Sequence, residues 1–248
     1  MLPADWFIPQ NVALAFSERM GGVSQPPFDS LNLGDHVGDA PQAVAQNRHL
    51  LCEQLGLIAE PVWLNQVHGT EVIDLDGLTP EVLSPAADKL DADASICSSP
   101  QHVCVVMTAD CLPVLICDRA GTQVAAVHAG WRGLCNGIIE AAIARFKAPA
   151  AELCLYLGPC IGAEAFEVGA EVRQAFIEQD PQTQDFFTPR GDKYLGDLQG
   201  IARYRAAKQG VIQIFSLDAC TYQLSERFFS YRRESVTGRM ASLIWLKK

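Results

Sequence analysis

Long apolar runs are missing from this sequence. Stretches such as residues 103–107 and 112–117 fall far short of the roughly 20 residues that a membrane-spanning helix requires, so no transmembrane segment is expected. The opening MLPADWFIPQ lacks a basic leader followed by an apolar stretch and does not read as a secretory signal, which makes the cytoplasm the expected location. Positive charge is also scarce. Nineteen basic against 29 acidic residues give a formal net charge of -10, which repels a nucleic-acid backbone unless basic residues gather on one face. Nucleic acid is therefore not an expected partner, whereas a few arginines in a cleft still suffice for a small anion. No internal repeat and no Ser/Gly- or Pro-rich linker divides the chain. None of the nine cysteines forms a close CxxC pair, and a disulfide framework is improbable in a cytosolic chain of this size. Cysteines set among Val, Ile and Leu, as in HVCVVM and LPVLICD, read as small core residues.

What is present is a mixture of short β-branched runs and helical periodicity. Strands are expected over residues 12–16, 62–64, 72–75, 103–107, 113–117, 123–127, 153–157, 211–215 and 243–246, where Val and Ile cluster between turn formers. Helices are expected over 43–55, 134–146, 167–177 and 198–207, where apolar residues recur three or four apart. A mixed α/β fold follows, one compact domain over residues 1–248 with central sheets covered by outer helices. The segment 77–89, GLTPEVLSPAADK, reads as an insertion or mobile loop within that domain.

Three fragments stand out: NQVHG around His68, TADCLP around Cys111 and HAGWRG around His128. Each sets a potential metal ligand beside residues that favour tight backbone geometry. Zinc accepts imidazole nitrogen and thiolate sulfur in a four-coordinate site, and a catalytic site keeps one position open. His68, Cys111 and His128 would supply three ligands, with separations of 43 and 17 residues that do not match a zinc finger. Taken singly, each also has an ordinary reading as a hydrogen-bonding histidine or a buried cysteine. Asp110, and next to it Asp91 and Asp93 in LDADA, are candidates for orienting a ligand histidine or accepting a proton, with Asp110 preferred. His36, His49 and His102 read as loop or surface residues.

Arginines supply the candidates for anion binding. Arg19 lies in a loop dense in turn formers, SERMGGVSQPPFDSLNLGDHVGD, Arg48 follows Asn47 in a helical pattern, and Arg132 opens the helix after His128. A guanidinium fork beside free helix N–H groups makes a phosphate-sized site, and each arginine has a structural anchoring role as its alternative. GPCIG at 158–162 reads as a sharp turn, and the late segment with Arg232, Arg233, Thr237, Gly238 and Arg239 as either a pocket wall or a C-terminal brace.

Together with ERMGGVS, SLNLGDHVGD, GPCIG and FSYRRESVTGRMAS, these fragments closely resemble, in order from Arg19 to Ser242, the bacterial multicopper polyphenol oxidoreductase or laccase-like family. That family is also described as purine nucleoside phosphorylases and includes peptidoglycan editing factors. The resemblance implies a zinc site of His68, Cys111 and His128, with Arg19, Asn47 and Arg48 in the substrate pocket. It implies phosphorolysis of adenosine, inosine, guanosine and methylthioadenosine, together with adenosine deamination, with purine nucleosides and inorganic phosphate as partners. A monomer is expected, with an oligomer left open. Five histidines without an HxH pair are too few for several copper centres, so zinc is preferred to copper. Two alternatives stay open: a zinc- or cysteine-dependent amidase that edits a peptidoglycan precursor, with Cys111 as ligand or nucleophile, and a noncatalytic metal-stabilised binding protein.

Overall fold

The computed structural model describes residues 2–79, 81–83 and 89–247. The strands in chain order are β1 (Val12–Phe16), β2 (Pro61–Val62), β3 (Val72–Asp74), β4 (Ala94–Cys97), β5 (Val103–Thr108), β6 (Leu112–Asp118), β7 (Val124–Ala129), β8 (Leu153–Leu157), β9 (Glu167–Val168), β10 (Phe187–Arg190), β11 (Lys193–Gly196), β12 (Gln213–Ser216) and β13 (Met240–Leu246). The helices are α1 (Pro41–Leu55), α2 (Trp131–Asn136), α3 (Ile138–Ile143), α4 (Ala170–Gln179) and α5 (Leu198–Lys208). One sheet runs β1-β13-β5-β2, a second runs β12-β8-β6-β7-β4-β3, and β10-β11-β9 form a small third.

Strand periodicity decides how these sheets stack, because successive side chains leave opposite faces. In β5, Val103 and Val105 pack with Leu51 of α1 and with Ala241 and Leu243, while Cys104 and Val106 turn the other way. There they meet Leu115 and Cys117 of β6 and Val124 and Ala126 of β7 across the gap between the two large sheets. The opposite face of the second sheet, with Val114, Ile116, Val127 and Leu155, lies under Leu134, Ile138, Phe176 and Ile201 of the remaining helices. The order of layers is thus α1, four-stranded sheet, six-stranded sheet, then α2 to α5. Strands covered on both faces read as continuous apolar runs, and β6, LPVLICD, is buried from end to end.

The expected helix over 134–146 is two helices of six residues, α2 and α3. Gly137, at φ 99, takes the left-handed conformation that ends one helix and starts the next, which only glycine adopts cheaply. The expected helix start at Glu167 is strand β9 instead; Gly169 caps α4 from Ala170 onward. The β10–β11 hairpin and β4 lie outside the expected strands. Residues 80 and 84–88 of the segment read as an insertion are outside the described residues. Among the described residues no helix is long and apolar enough to cross a membrane.

Candidate metal centre

Two chain segments cross from one large sheet to the other: the β2–β3 connection carries His68 and the β5–β6 connection carries Cys111. His128 comes from the end of β7, where Pro113 is its neighbour in register. The crossings converge, and one ligand atom from each of His68, Cys111 and His128 lies within 4.8 Å of the others. His68 is exposed, Cys111 half-buried and His128 buried, so the cluster opens to solvent on one side.

Local backbone geometry shows how tightly this point is built. Among the described residues, His68 (φ 61) and Asp110 (φ 92) are the only non-glycine residues with positive φ. Left-handed backbone at such residues costs about 1–3 kcal/mol and persists only when the surroundings hold it. Buried Asp93 holds the His68 turn: its Oδ2 accepts the N–H of Val67 at 3.2 Å and of Gly69 at 2.7 Å, and its Oδ1 that of His68 at 3.0 Å. The same Oδ1 accepts the Nδ1–H of His128 at 2.7 Å. One carboxylate therefore fixes two of the three candidate ligands, and with Nδ1 engaged it is Nε2 of His128 that is left for a metal.

Asp110, the preferred carboxylate on sequence grounds, has a different place. Its Oδ1 accepts the Thr221 hydroxyl at 2.7 Å and its Oδ2 the Arg232 N–H at 2.7 Å, while its carbonyl accepts the Ile161 N–H at 2.9 Å. It clamps the turn that presents Cys111, and the histidine-orienting position belongs to Asp93. The available signal was placement: LDADA runs directly into the buried strand ASIC, so its second aspartate is carried into the interior.

Electrostatics follow from these contacts. Burial alone would push the Cys111 thiol up, but the His128 imidazolium and hydrogen bonds from His128 and His68 overcome it and bring it down to about 6. Burial works against charge on His128, and the Cys111 thiolate and Asp93 carboxylate prevail, raising it to about 9. Each partner's charged form thus favours the other's.

The donor set suits zinc, with one imidazole already oriented by a carboxylate. Gly130 supplies the space. A Cβ at that position would stand 3.0 Å from His68 Cδ2, 3.1 Å from Cys111 Sγ and 3.4 Å from His128 Cε1. A glycine at this point leaves free the volume in which the three side chains meet.

The residues expected to bind substrate are placed as follows. The Arg19 guanidinium donates to the Asp29 carbonyl and carboxylate and to the Ser225 carbonyl, and stacks on Phe229. Asn47 is buried with its amide fully bonded: its Oδ1 accepts the Val23 N–H, and its Nδ2 donates to the Ser24 hydroxyl and the carbonyls of Ser30 and Asn32. Arg48 donates twice to the Leu33 carbonyl, pairs with Asp35 at 3.4 Å and stacks 4.0 Å from the Trp63 centroid. All three shape the loop between β1 and α1. Arg132 is exposed and stacked on Trp131. His36, His49 and His102 stand outside the cluster, beside Asp35, Glu53 and Asp76. All nine cysteines are free and six are buried.

The layered α/β fold is shared with known proteins. Residues 13–247 match the family described as multi-copper polyphenol oxidoreductase laccase, and the chain belongs to that family. Over 246 residues it is 52% identical to the Escherichia coli protein named purine nucleoside phosphorylase YfiH, covering 99% of this chain and 98% of that one. A Pseudomonas aeruginosa protein named purine nucleoside phosphorylase is 46% identical over 248 residues, covering 99% and 98% of the two chains. A Neisseria meningitidis crystal structure matches with a TM-score of 0.90 at 47% identity, covering 100% of this chain and 99% of that one.

Proposed function

We propose that this protein is a zinc-dependent purine nucleoside phosphorylase. It converts adenosine, inosine or guanosine and inorganic phosphate to the free base and ribose 1-phosphate, with methylthioadenosine phosphorolysis and adenosine deamination as side activities. The observation that carries this reading is the His68–Cys111–His128 cluster, open on one side, in a chain that matches proteins of that name end to end. A cytoplasmic monomer without nucleic-acid or membrane partners completes it.

His68, Cys111 and His128 would hold the zinc, which would supply a Lewis acid beside them. The chain's own residues do the rest. Asp93 keeps the His128 ring in one tautomer and one orientation and fixes the His68 turn. Asp110, with both carboxylate oxygens occupied, holds Cys111 in place instead of carrying a proton. Arg19, Asn47 and Arg48 act on substrate through the loop they shape. Preorganised donors around the reacting atoms account for most catalysis of this kind.

The test is a zinc-loaded assay with inosine, with and without phosphate, resolving hypoxanthine and ribose 1-phosphate. Phosphate-dependent formation of both is the expected result. Absence of both across a broad range of protein and substrate concentrations sinks the proposal.

One observation favours a second reading. A thiolate at Cys111 beside an imidazolium held by Asp93 is the arrangement a cysteine nucleophile needs. An amidase acting on a peptidoglycan precursor would use it, releasing an amino acid with no need of phosphate.

A further inference from the structure

A phosphorylase needs a cation for phosphate beside its cluster, and the arginines expected on sequence grounds are placed otherwise: Arg19 and Arg48 are bonded into the β1–α1 loop, and Arg132 lies exposed on Trp131. Strand register brings another one in. β13 pairs with β5 so that Met240 lies opposite Thr108. One step further along each antiparallel strand stand Arg239 and the Ala109–Asp110–Cys111 turn.

The backbone of Arg239 is pinned on both sides, its N–H donating to Asn32 Oδ1 at 2.9 Å and its carbonyl accepting the Leu33 N–H at 3.1 Å. Its side chain passes over Gly34, where a Cβ would come within 2.7 Å of Arg239 Cγ. Nη1 donates to the carbonyls of Thr237 and Gly238, both at 3.0 Å. Among the described residues, no carboxylate lies within ion-pair distance of this guanidinium, and Nε and Nη2 have no protein acceptor. The charges it faces are those of Cys111 and Asp110, which oppose the effect of burial on it, and its guanidinium carbon lies 5.9 Å from the Tyr231 ring centroid. The Asp110 oxygens are already taken by Thr221 and Arg232. This half-buried guanidinium has opposite charge nearby but no direct ion pair, and an anionic ligand with two oxygens matches the free edge of its fork.

We propose that Arg239 binds the inorganic phosphate of this site through Nε and Nη2, an inference that rests on the phosphorylase reading. Phosphate held there forms its new bond to the anomeric carbon of the nucleoside as the bond from that carbon to the purine nitrogen breaks. The electron pair leaves with the purine, and the proton of hydrogen phosphate ends on the free base. Arg239 supplies charge and direction to the nucleophile and is unchanged at the end.

The experiment uses the zinc-loaded full chain as wild type, Arg239→Gln and Arg239→Lys, with inosine and phosphate varied separately. Arg239→Gln is expected to raise the KM for phosphate about 10- to 100-fold, the scale of a charge-assisted pair, while zinc content and the KM for inosine stay within about twofold. Arg239→Lys is expected to fall between, keeping the charge and losing the fork. An unchanged phosphate KM in Arg239→Gln overturns the inference, as does an equal rise in both KM values, which marks a merely structural role. A companion measurement on the wild type covers a variant that fails to fold and is independent of turnover. Phenylglyoxal modification of Arg239, read by peptide mass, is expected to be suppressed by inorganic phosphate alone, and lack of protection overturns the inference. Wild-type inosine turnover that ignores phosphate sinks the phosphorylase reading instead, so the two failures are distinguishable.

Discussion

Replacing Gly130 with alanine separates the fold from the metal centre. Gly130 has φ -63 and ψ 160, angles open to every residue, so Gly130→Ala strains no backbone. Its effect on the unfolded chain favours the fold by about 0.4–1 kcal/mol. The cost falls on the three candidate ligands. The new methyl group would stand 3.0 Å from His68 Cδ2, 3.1 Å from Cys111 Sγ and 3.4 Å from His128 Cε1, against ordinary contacts of about 3.5–4.0 Å. The ring and the thiol must each retreat by several tenths of an ångström, more than the ~0.2 Å by which metal–ligand distances vary. Zinc affinity is therefore expected to fall at least about tenfold, the lower end of what loss of a ligand's supporting partner does. The zinc-free variant is expected to unfold in urea within about 1 kcal/mol of wild type. Competition with a chromogenic chelator reads the first quantity and a urea titration the second. Wild-type zinc affinity in Gly130→Ala refutes the assignment of this volume to a metal.

Asp93→Asn is expected to destabilise the zinc-free protein by about 2–4 kcal/mol at neutral pH, because the new amide N–H₂ meets donors where a carboxylate oxygen accepted them. Burial tends to raise the Asp93 carboxyl, but the hydrogen bonds from His128, Gly69 and His68 hold it below its ordinary value. Its contribution is thus present above the unfolded value of about 3.9 and lost as pH falls through the lower folded one; wild-type and variant urea midpoints that differ by a constant amount down to that range and below contradict this. Asn47→Ala, which strips four hydrogen bonds from the β1–α1 loop, is expected to cost about 2–3 kcal/mol by urea titration, and a loss under 0.5 kcal/mol on that scale argues against a scaffold role. Thr221→Val removes the 2.7 Å donor to Asp110 and is expected to cost about 1–2 kcal/mol while weakening zinc binding severalfold through the Cys111 turn; unaltered zinc affinity would uncouple that clamp from the site. In zinc-free protein, iodoacetamide labelling of Cys111 is expected to rise with a midpoint near pH 6, since the His128 imidazolium outweighs burial at the thiol, and zinc is expected to block it. A midpoint near 9 rules out the ion pair.

Most of the layering was legible because strands buried on both faces leave an unbroken apolar signature. Residues 103–107 and 113–117 show it, and they became β5 and β6. The missing strand β4, ASIC, is made of small residues that carry no β-branched run beyond Ile96, and its faces are covered by the helix layer on one side, at Ala94 and Ile96, and by the four-stranded sheet on the other, at Cys97. The split of the expected 134–146 helix turned on a single residue, Gly137. Periodicity cannot see it, since Leu134, Ile138 and Ala142 keep facing the sheet on both sides of the break.

The three residues that cluster at the candidate site were legible and their supports were not, for one physical reason. A ligand declares itself by residue type, so His68, Cys111 and His128 could be nominated without knowing where the chain goes. A supporting residue is defined by what it touches, and that is a product of topology. Asp110 stands next to Cys111 in sequence, yet its side chain turns to Thr221 and the Arg232 backbone, 111 and 122 residues away. Asp93 is 35 residues from His128 and reaches it because β4 and β7 are hydrogen-bonded neighbours with Ala94 opposite Val127. Arg239 is further still from Cys111 in sequence and comes to it through the β13–β5 register. Adjacency in sequence ranked these residues in reverse order, and in a sandwich whose ligands sit on crossings between sheets, pairing register is the better guide to what supports them.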